Sequence, residues 1–287
     1  MPGEAQTGGV DSGARVHDSA SVDPSAVIGE GVVVGARCVV GPGVVIGAGT
    51  ELRAGSVVVR DTVLGEGNVL HSYAVLGDDP QDRAFDPARP GRLEIGDRNV
   101  FREYVTMHRS TEPGPATVIG SDNYFMACSH AGHNARVGDR NTMANGAVLA
   151  GHAHIGSDNV FSAYAAVHQF TTVGDLCMVQ HSRGMSMHMP PFTVSGQTNA
   201  VTGLNRVGLR RNAEISEDDA AAVRRAFRAM YRSRGGRPML EVVEEGLAAE
   251  SSRAARRFYE FIRDRLEDED ERRRKRGVVG HSPYAGG

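Results

Sequence analysis

Aliphatic residues recur at every sixth position of this chain, with glycine often following directly, as in Ile28-Gly29 and Ile46-Gly47. Neither an α-helix nor an alternating strand has a period of six. A hexapeptide β-solenoid does, because each six residues supply one short strand and one corner, with three such sides in a coil. The pattern predicts a parallel β-helix whose inward positions are Val16, Val22, Ile28, Val34, Val40, Ile46, Leu52, Val58, Leu64, Leu70 and Leu76, then Ile95, Phe101 and Met107, then every sixth residue from Ile119 to Val179.

The phase breaks twice, at residues 77–92 and 109–116, and both breaks contain prolines and polar residues typical of loops. We therefore predict a β-helical domain over residues 15–195 with loops at 77–92 and 109–116. The preceding residues 1–14 are rich in glycine and small polar residues, which favours a disordered tail.

A different pattern follows the repeat. Ser216 precedes three acidic residues, as at a helix N-terminus, Pro238 can open a second helix, and residues 251–269 are typical of a third. We predict a helical C-terminal domain over residues 203–270 and a flexible tail over residues 271–287.

Composition narrows the class of protein. The formal net charge of -3 argues against bulk binding to nucleic acid or to a membrane surface. Three cysteines without metal-ligand spacing indicate a reducing compartment. The sequence has neither a signal peptide nor an apolar stretch of membrane-spanning length, so we expect a cytoplasmic protein without membrane insertion.

Candidate chemistry lies in the histidine-rich stretch 124–169. With three hexads to a coil, residues eighteen apart stack on neighbouring coils at about 4.8 Å. His133 then stacks with Gly151 and Gln169, and Asn134 stacks with His152. An outward imidazole beside a glycine N–H supplies a general base and an oxyanion donor, the pair that acyl transfer requires, and Asn134 could help to orient the imidazole.

Other interpretations of these residues stay open. Outward histidines are often plain solvated surface. His130 with His133, and His152 with His154, could bind zinc, although matching cysteines or carboxylates are missing, so we predict no metal site. Ser129 could act as a nucleophile, yet it lacks an elbow motif. Direct attack by a substrate hydroxyl or amine, deprotonated by His133, fits better.

Arginines are concentrated after the solenoid. Arg210 and Arg211 are candidates for contact with a phosphate, while Arg224, Arg225 and Arg228 could meet an acidic protein partner. The alternative is a solvated helical face.

Several motifs together carry a family resemblance: LEIGDRNVFREYVTMHRST, VIGSDNYFMACSHAGHNARVGDRN, VLAGHAHIG, AAVHQF and NRVGLRR. In this order they resemble the acyl-[acyl-carrier-protein]–UDP-N-acetylglucosamine O-acyltransferases that open lipid A biosynthesis. The resemblance covers roughly residues 14 to 259. It implies a left-handed β-helix, a homotrimer, UDP-N-acetylglucosamine as acceptor, acyl carrier protein as donor partner, and neither a metal nor another cofactor.

The resemblance also implies roles for individual residues. His133 matches the general base and Gly151 the backbone oxyanion donor. The implied substrate-binding residues are Asp82, His108, His130, Asn134, His152, His168, Gln169, His181, Asn205 and Arg211. Among these, Asn205 and Arg211 match positions on the nucleotide or phosphate side.

Three positions depart from the family pattern. Asn134 stands where aspartate is usual, so it accepts a hydrogen bond but brings no charge, and the sister N-acyltransferases of the pathway often have asparagine there. Ala84 replaces a lysine of the first loop. His181 falls where the family tunes acyl-chain length, and we hypothesise that the histidine selects a shorter chain or a different acyl group.

Three functions remain from the sequence. The leading one is transfer of an acyl group, of the 3-hydroxyacyl type, to the 3-hydroxyl of UDP-N-acetylglucosamine. The second is a paralogous acyl- or acetyltransferase acting on another nucleotide sugar, with coenzyme A as donor. The third is a non-catalytic solenoid scaffold, against which the pairing of His133 with Gly151 argues.

Overall fold

A computed structural model describes residues 8–282, and contacts within it divide the chain into two compact units, Met1–Ala153 and His154–Gly287. The first unit consists of short strands separated by tight turns. In chain order they are β1 Gly9–Val10, β2 Arg15–Val16, β3 Ser21–Val22, β4 Val27–Ile28, β5 Val33–Val34, β6 Val39–Val40, β7 Val45–Ile46, β8 Glu51–Leu52, β9 Val57–Val58, β10 Thr62–Leu64, β11 Val69–Leu70, β12 Val75–Asp78, β13 Arg92–Ile95, β14 Val100–Phe101, β15 Thr106–His108, β16 Ala116–Ile119, β17 Tyr124–Phe125, β18 His130–Ala131, β19 Arg136–Val137, β20 Thr142–Met143 and β21 Val148–Leu149.

From residue 8 onward, every third strand of this unit pairs in parallel, which produces three sheets. In a regular coil the partners are eighteen residues apart, as in Ile28 with Ile46. The two loops lengthen their coils, so that Leu64 pairs with Ile95 and Ile95 with Ile119. The inward positions nevertheless stay aligned from coil to coil, because most of the extra residues lie outside the sheets.

The interior of the first unit is the predicted aliphatic column. Side chains from Ile28 to Leu149 at the inward positions are at most 4% exposed. Burying a side chain of this size contributes about 1.5–3 kcal/mol, so the column supplies much of the stability of the coil. The prediction is wrong at its start, where Val16 is 38% exposed and Val22 is only partly buried.

Up to residue 282, the second unit holds six more solenoid strands, a β-hairpin, five helices and a last strand. The strands are β22 His154–Ile155, β23 Val160–Phe161, β24 Ala166–Val167, β25 Thr172–Val173, β26 Met178–Val179, β27 Gly184–Met185, β28 Thr193–Gln197, β29 Ala200–Leu204 and β30 Gly280–His281. The helices are α1 Arg206–Arg211, α2 Glu217–Tyr231, α3 Met239–Ala249, α4 Arg253–Leu266 and α5 Glu271–Arg274.

Helix α2 begins where the sequence predicts. The Ser216 side chain accepts a hydrogen bond from the Asp219 N–H, and the Asp219 side chain bonds back to the Ser216 backbone, which is a capping box. The Asp219 carboxylate also accepts from the Ser252 hydroxyl at 2.6 Å, and Ser252 caps α4. One carboxylate thus ties two helix starts together, and α2 and α4 pack against each other, with the rings of Tyr231 and Phe258 in edge-to-face contact at 6.3 Å.

Both predicted tails differ from the structure. β1 lies within residues 1–14 and pairs with β4, while residues 1–7 of that tail lie outside the described residues. Helix α5 and β30 lie within residues 271–287, of which 283–287 are outside the described part. β30 pairs with β29, and the buried His188 ring donates from Nε2 to the Arg273 carbonyl at 2.8 Å. These non-local bonds order a segment whose composition alone favours flexibility.

Candidate active site

Four histidines of the first unit come from neighbouring strand ends. His108 ends β15, His130 begins β18, and His133 lies in the turn that follows β18. His152 lies in the turn after β21, and its N–H donates to the His133 carbonyl at 2.9 Å. The rings of His133 and His152 meet edge to face at 5.3 Å, as do those of His108 and His130 at 4.9 Å.

Gly151 lies against the imidazole of His133. A Cβ atom at residue 151 would lie 2.5 Å from both Cε1 and Nε2 of that ring. Such a contact is far shorter than van der Waals distance, so this ring position requires glycine on the next coil. The eighteen-residue spacing predicted this juxtaposition from the sequence.

The other ring nitrogen of His133 is held by Asn134. Nδ1 lies 3.0 Å from the Asn134 Oδ1 atom, which also receives the Thr111 N–H at 3.1 Å and the Thr111 hydroxyl at 3.0 Å. An amide oxygen only accepts hydrogen bonds, so Nδ1 must carry the proton. In the neutral ring Nε2 is then the nitrogen without a proton, the form that a general base requires.

His108 and His130 are kept neutral by their surroundings. Burial, together with the neighbouring His108 and His133, lowers the pKa of His130 to about 4, and Thr106 opposes that shift. The Thr106 hydroxyl lies 2.8 Å from His130 Nδ1. Burial also lowers the pKa of His108, which Asp78 partly offsets. Both rings are therefore uncharged at neutral pH and serve as hydrogen-bonding groups.

Asp82 lies exposed in the first loop, where its carboxylate accepts the Ala84 N–H at 2.9 Å. Arg109 holds this loop in place, although the sequence analysis did not identify it as a site residue. Arg109 is 1% exposed, and its guanidinium donates to the Gly77 carbonyl at 2.9 Å and to the Gly91 carbonyl at 3.1 Å. It also forms an ion pair with Asp79. Arg109 thus closes both ends of the loop that carries Asp82.

The remaining predicted site residues belong to the second unit. His168 and Gln169 are exposed in the turn after β24. His181 is exposed and meets the Tyr164 ring edge to face at 6.0 Å. Asn205 caps α1: its side chain accepts from the Gly208 N–H and donates to the Leu176 carbonyl. Arg211 is exposed at the end of that helix.

Arginines line two hollows of the second unit, the larger of about 490 Å³. Arg206 and Arg224 contribute to both hollows, with Arg210 in the larger and Arg228 in the smaller. Arg225 instead pairs with Glu250 at 3.3 Å. Of the three helix arginines suggested for an acidic partner, Arg224 and Arg228 therefore face open space.

Two further observations concern metals and membranes. Within residues 8–282, no three His, Cys, Asp or Glu side chains converge in a way that would hold a metal ion. The helices of that same range are all too short or too polar to cross a bilayer.

Comparison with known proteins agrees with this architecture. Residues 13–48 match the bacterial transferase hexapeptide family, described as six repeats, and residues 189–279 match domain 2 of UDP N-acetylglucosamine O-acyltransferases. The solenoid and the site thus define a hexapeptide-repeat transferase.

Individual relatives extend the match. The acyl-[acyl-carrier-protein]–UDP-N-acetylglucosamine O-acyltransferase of Alkalilimnicola ehrlichii is 41% identical over 175 residues, which cover 60% of this chain and 66% of the relative. That of Janthinobacterium sp. is 35% identical over 197 residues, covering 66% and 74%. The solved structure of LpxA from Acinetobacter baumannii superposes with a TM-score of 0.82 at 31% identity, covering 92% of this chain and 99% of that one.

The chain belongs to the acyl-[acyl-carrier-protein]–UDP-N-acetylglucosamine O-acyltransferase family. This confirms the resemblance seen in the motifs and the predicted fold class, a left-handed parallel β-helix followed by a helical C-terminal region. The matched part of the chain spans 66%, 58% and 61% of the length of three curated relatives.

Proposed function

We propose that this protein transfers an acyl group, of the 3-hydroxyacyl type, from acyl carrier protein to the 3-hydroxyl of UDP-N-acetylglucosamine, the first step of lipid A biosynthesis. The observation that carries the proposal is the environment of the two ring nitrogens of His133. Its Nδ1 is bonded to Asn134, and its Nε2 lies over Gly151. Membership of the family supplies the substrates.

The reaction follows from that geometry. Nε2 of His133 removes the proton of the sugar hydroxyl while the oxygen attacks the thioester carbonyl. The Gly151 N–H stabilises the oxyanion of the tetrahedral intermediate. Collapse of the intermediate breaks the carbon–sulfur bond, and the leaving thiolate takes the proton back from the imidazolium. The enzyme forms no covalent intermediate and needs no cofactor beyond the acyl thioester.

The remaining residues serve binding. We assign the sugar and acyl contacts to Asp82, His108, His130, Asn134, His152, His168, Gln169 and His181, and the nucleotide or phosphate contacts to Asn205 and Arg211. The exposed Arg224 and Arg228 suit an acidic carrier protein. The proposal includes a cytoplasmic homotrimer.

Assays with purified protein test this function. UDP-N-acetylglucosamine is supplied with a panel of 3-hydroxyacyl-carrier-protein thioesters and with acetyl-coenzyme A, beside the His133→Ala variant. Loss of a general base lowers turnover on the order of 10²–10⁴-fold. Transfer from carrier protein that falls by that factor in the variant supports the proposal. Turnover that His133→Ala leaves unchanged refutes it.

Asn134 favours a second candidate function, acyl transfer to an amino sugar. The sister N-acyltransferases share asparagine after the base, so an amino sugar is the alternative acceptor. The same assay separates the two functions when a UDP-linked 3-amino sugar is added. Preference for that acceptor over UDP-N-acetylglucosamine would move the chain to the second function.

A further inference from the structure

We propose that Thr111 is a positioning residue that sets the tautomer of His133 by holding the amide oxygen of Asn134 toward the ring. The catalytic consequence rests on the proposed function. The tautomer itself does not, and can be measured in the absence of any substrate.

Asparagine beside a histidine poses a problem that aspartate does not. An amide presents an oxygen that accepts or an NH₂ group that donates, and a rotation of about 180° exchanges them. If the NH₂ group of Asn134 faced Nδ1 of His133, that nitrogen would have to accept. The proton would then reside on Nε2, and His133 could not act as a base.

Thr111 supplies the constraint that selects one orientation. Its backbone N–H and its hydroxyl lie 3.1 Å and 3.0 Å from Oδ1 of Asn134. A rotated amide would set an NH₂ group against a backbone N–H, which cannot accept a hydrogen bond. Asn134 is only 8% exposed, so water competes weakly for either end of the amide.

Neighbouring bonds fix Thr111 and Asn134 in turn. Ser110 is buried, its N–H donates to the Arg92 carbonyl at 3.2 Å, and its hydroxyl accepts the Arg92 N–H at 3.1 Å. The Asn134 N–H donates to the Thr117 hydroxyl at 2.7 Å. Thr111 is therefore anchored to the base of the first loop, and its donors hold a constant direction.

A substitution cycle separates this role from a merely structural one. Thr111→Pro removes the backbone N–H together with the hydroxyl, whereas Thr111→Val removes only the hydroxyl and Thr111→Ser keeps both donors. Asn134→Asp removes the dependence on orientation, because a carboxylate accepts at both oxygens. The double variant Thr111→Pro with Asn134→Asp completes the cycle. Thr172→Val is the matched control for Thr111→Val, since the Thr172 hydroxyl has no hydrogen-bond partner within residues 8–282.

The first readout is the ¹⁵N NMR spectrum of the histidine rings, which distinguishes a proton on Nδ1 from one on Nε2. We expect His133 to be protonated at Nδ1 in the parent protein, in Thr111→Ser and in Thr111→Val, which all keep the backbone N–H, and to show a mixture in Thr111→Pro. A parent His133 protonated at Nε2, or a Thr111→Pro spectrum equal to that of the parent, would overturn the proposal.

The second readout is kcat at saturating substrates. One neutral hydrogen bond corresponds to a loss of up to about tenfold in Thr111→Pro. In the Asn134→Asp background the same change should cost less than about twofold, because the orientation no longer matters. An equal loss in both backgrounds would show that Thr111 acts only on the fold. An inactive parent would contradict the proposed function and leave the NMR result to decide the tautomer.

Discussion

The imidazole of His133 occupies the space into which a side chain at residue 151 would extend. Both Cε1 and Nε2 lie 2.5 Å from the position of a Cβ atom on Gly151. Glycine is required here by the neighbouring ring, whereas at Gly31 or Gly49 it suits a left-handed backbone. Gly151 on the next coil therefore determines where the His133 ring can lie.

Gly151→Ala should displace the imidazole while leaving the coil folded. A displacement of about 1 Å at a catalytic group typically costs on the order of 10²-fold in rate. We expect kcat to fall by that factor with little change in the melting temperature. Gly184→Ala is the control, because a Cβ at residue 184 meets nothing within 4 Å. Unchanged turnover in Gly151→Ala would remove the steric argument.

Arg109 should stabilise the first loop. Arg109→Ala leaves the Gly77 and Gly91 carbonyls without their guanidinium donor, and each unsatisfied buried group costs about 1–3 kcal/mol. We expect faster hydrogen exchange in residues 79–91 and a higher KM for the nucleotide sugar, because Asp82 loses its fixed position.

A surface arginine, Arg98, provides the control for the Arg109→Ala measurement. Arg98 forms a bidentate pair with Asp122 in solvent, so Arg98→Ala should change stability little. Arg109→Lys keeps the charge but not the planar set of donors, and should restore only part of the exchange protection. Equal exchange in the Arg109→Ala and parent loops would contradict this role.

His188 should make stability depend on pH. Burial lowers its pKa to about 4, while the bond to the Arg273 carbonyl opposes that shift. The unfolded chain binds a proton near pH 6.5 and the folded chain only near pH 4. The contribution is therefore complete above about pH 6.5 and is lost as the pH falls toward 4, by up to about 3 kcal/mol.

Urea unfolding between pH 4.5 and 7.5 measures this effect. His188→Gln should lower stability at pH 7.5 and reduce the pH dependence without abolishing it, since burial also lowers the pKa of His130 and of His108. His17→Gln is the control, because His17 is exposed. A pH dependence that His188→Gln leaves intact would assign it to other groups.

Buried asparagines form a ladder through the first unit. The side-chain oxygens of Asn68, Asn99 and Asn123 each accept two N–H groups from the next asparagine, the last being Asn141, at 2.8–3.0 Å. Asn123→Leu breaks two steps of the ladder and should lower the free energy of unfolding by about 3 kcal/mol. Thermal unfolding measures this, with the exposed Asp122→Asn as control. If Asn123→Leu lowers the free energy of unfolding no more than the control does, the ladder does not contribute to stability.

The solenoid could be predicted because its information is local. An inward residue every sixth position and a fixed three-sided coil place Ile28 under Ile46 without any further knowledge. The ends of the chain could not be predicted in this way. β30 pairs with β29 through hydrogen bonds between segments far apart in sequence, and neither segment has a period that predicts the other.

The same distinction between residues inside the repeat and residues outside it applies to the candidate site. The eighteen-residue spacing brings His133 to Gly151, since both belong to the repeat. Arg109 and Thr111 lie in a loop that interrupts the repeat, so spacing gives no information about their partners. The one available signal is their type: an arginine, a serine and a threonine directly after a strand offer donors to whatever backbone lies nearby.

His181 carries the last prediction, on acyl-chain length. Its ring meets that of Tyr164 edge to face at 6.0 Å, and both side chains are exposed. If this pair limits the space for the acyl tail, the parent enzyme should prefer chains shorter than C14, and His181→Ala should accept longer ones. Each buried methylene contributes about 0.8 kcal/mol, so two more carbons should gain about tenfold in kcat/KM for the variant. Competition assays with carrier-protein thioesters of graded length measure the shift. Tyr164→Phe retains the aromatic ring and should leave the preference unchanged, while a parent preference for C14 or longer would show that His181 does not limit the chain.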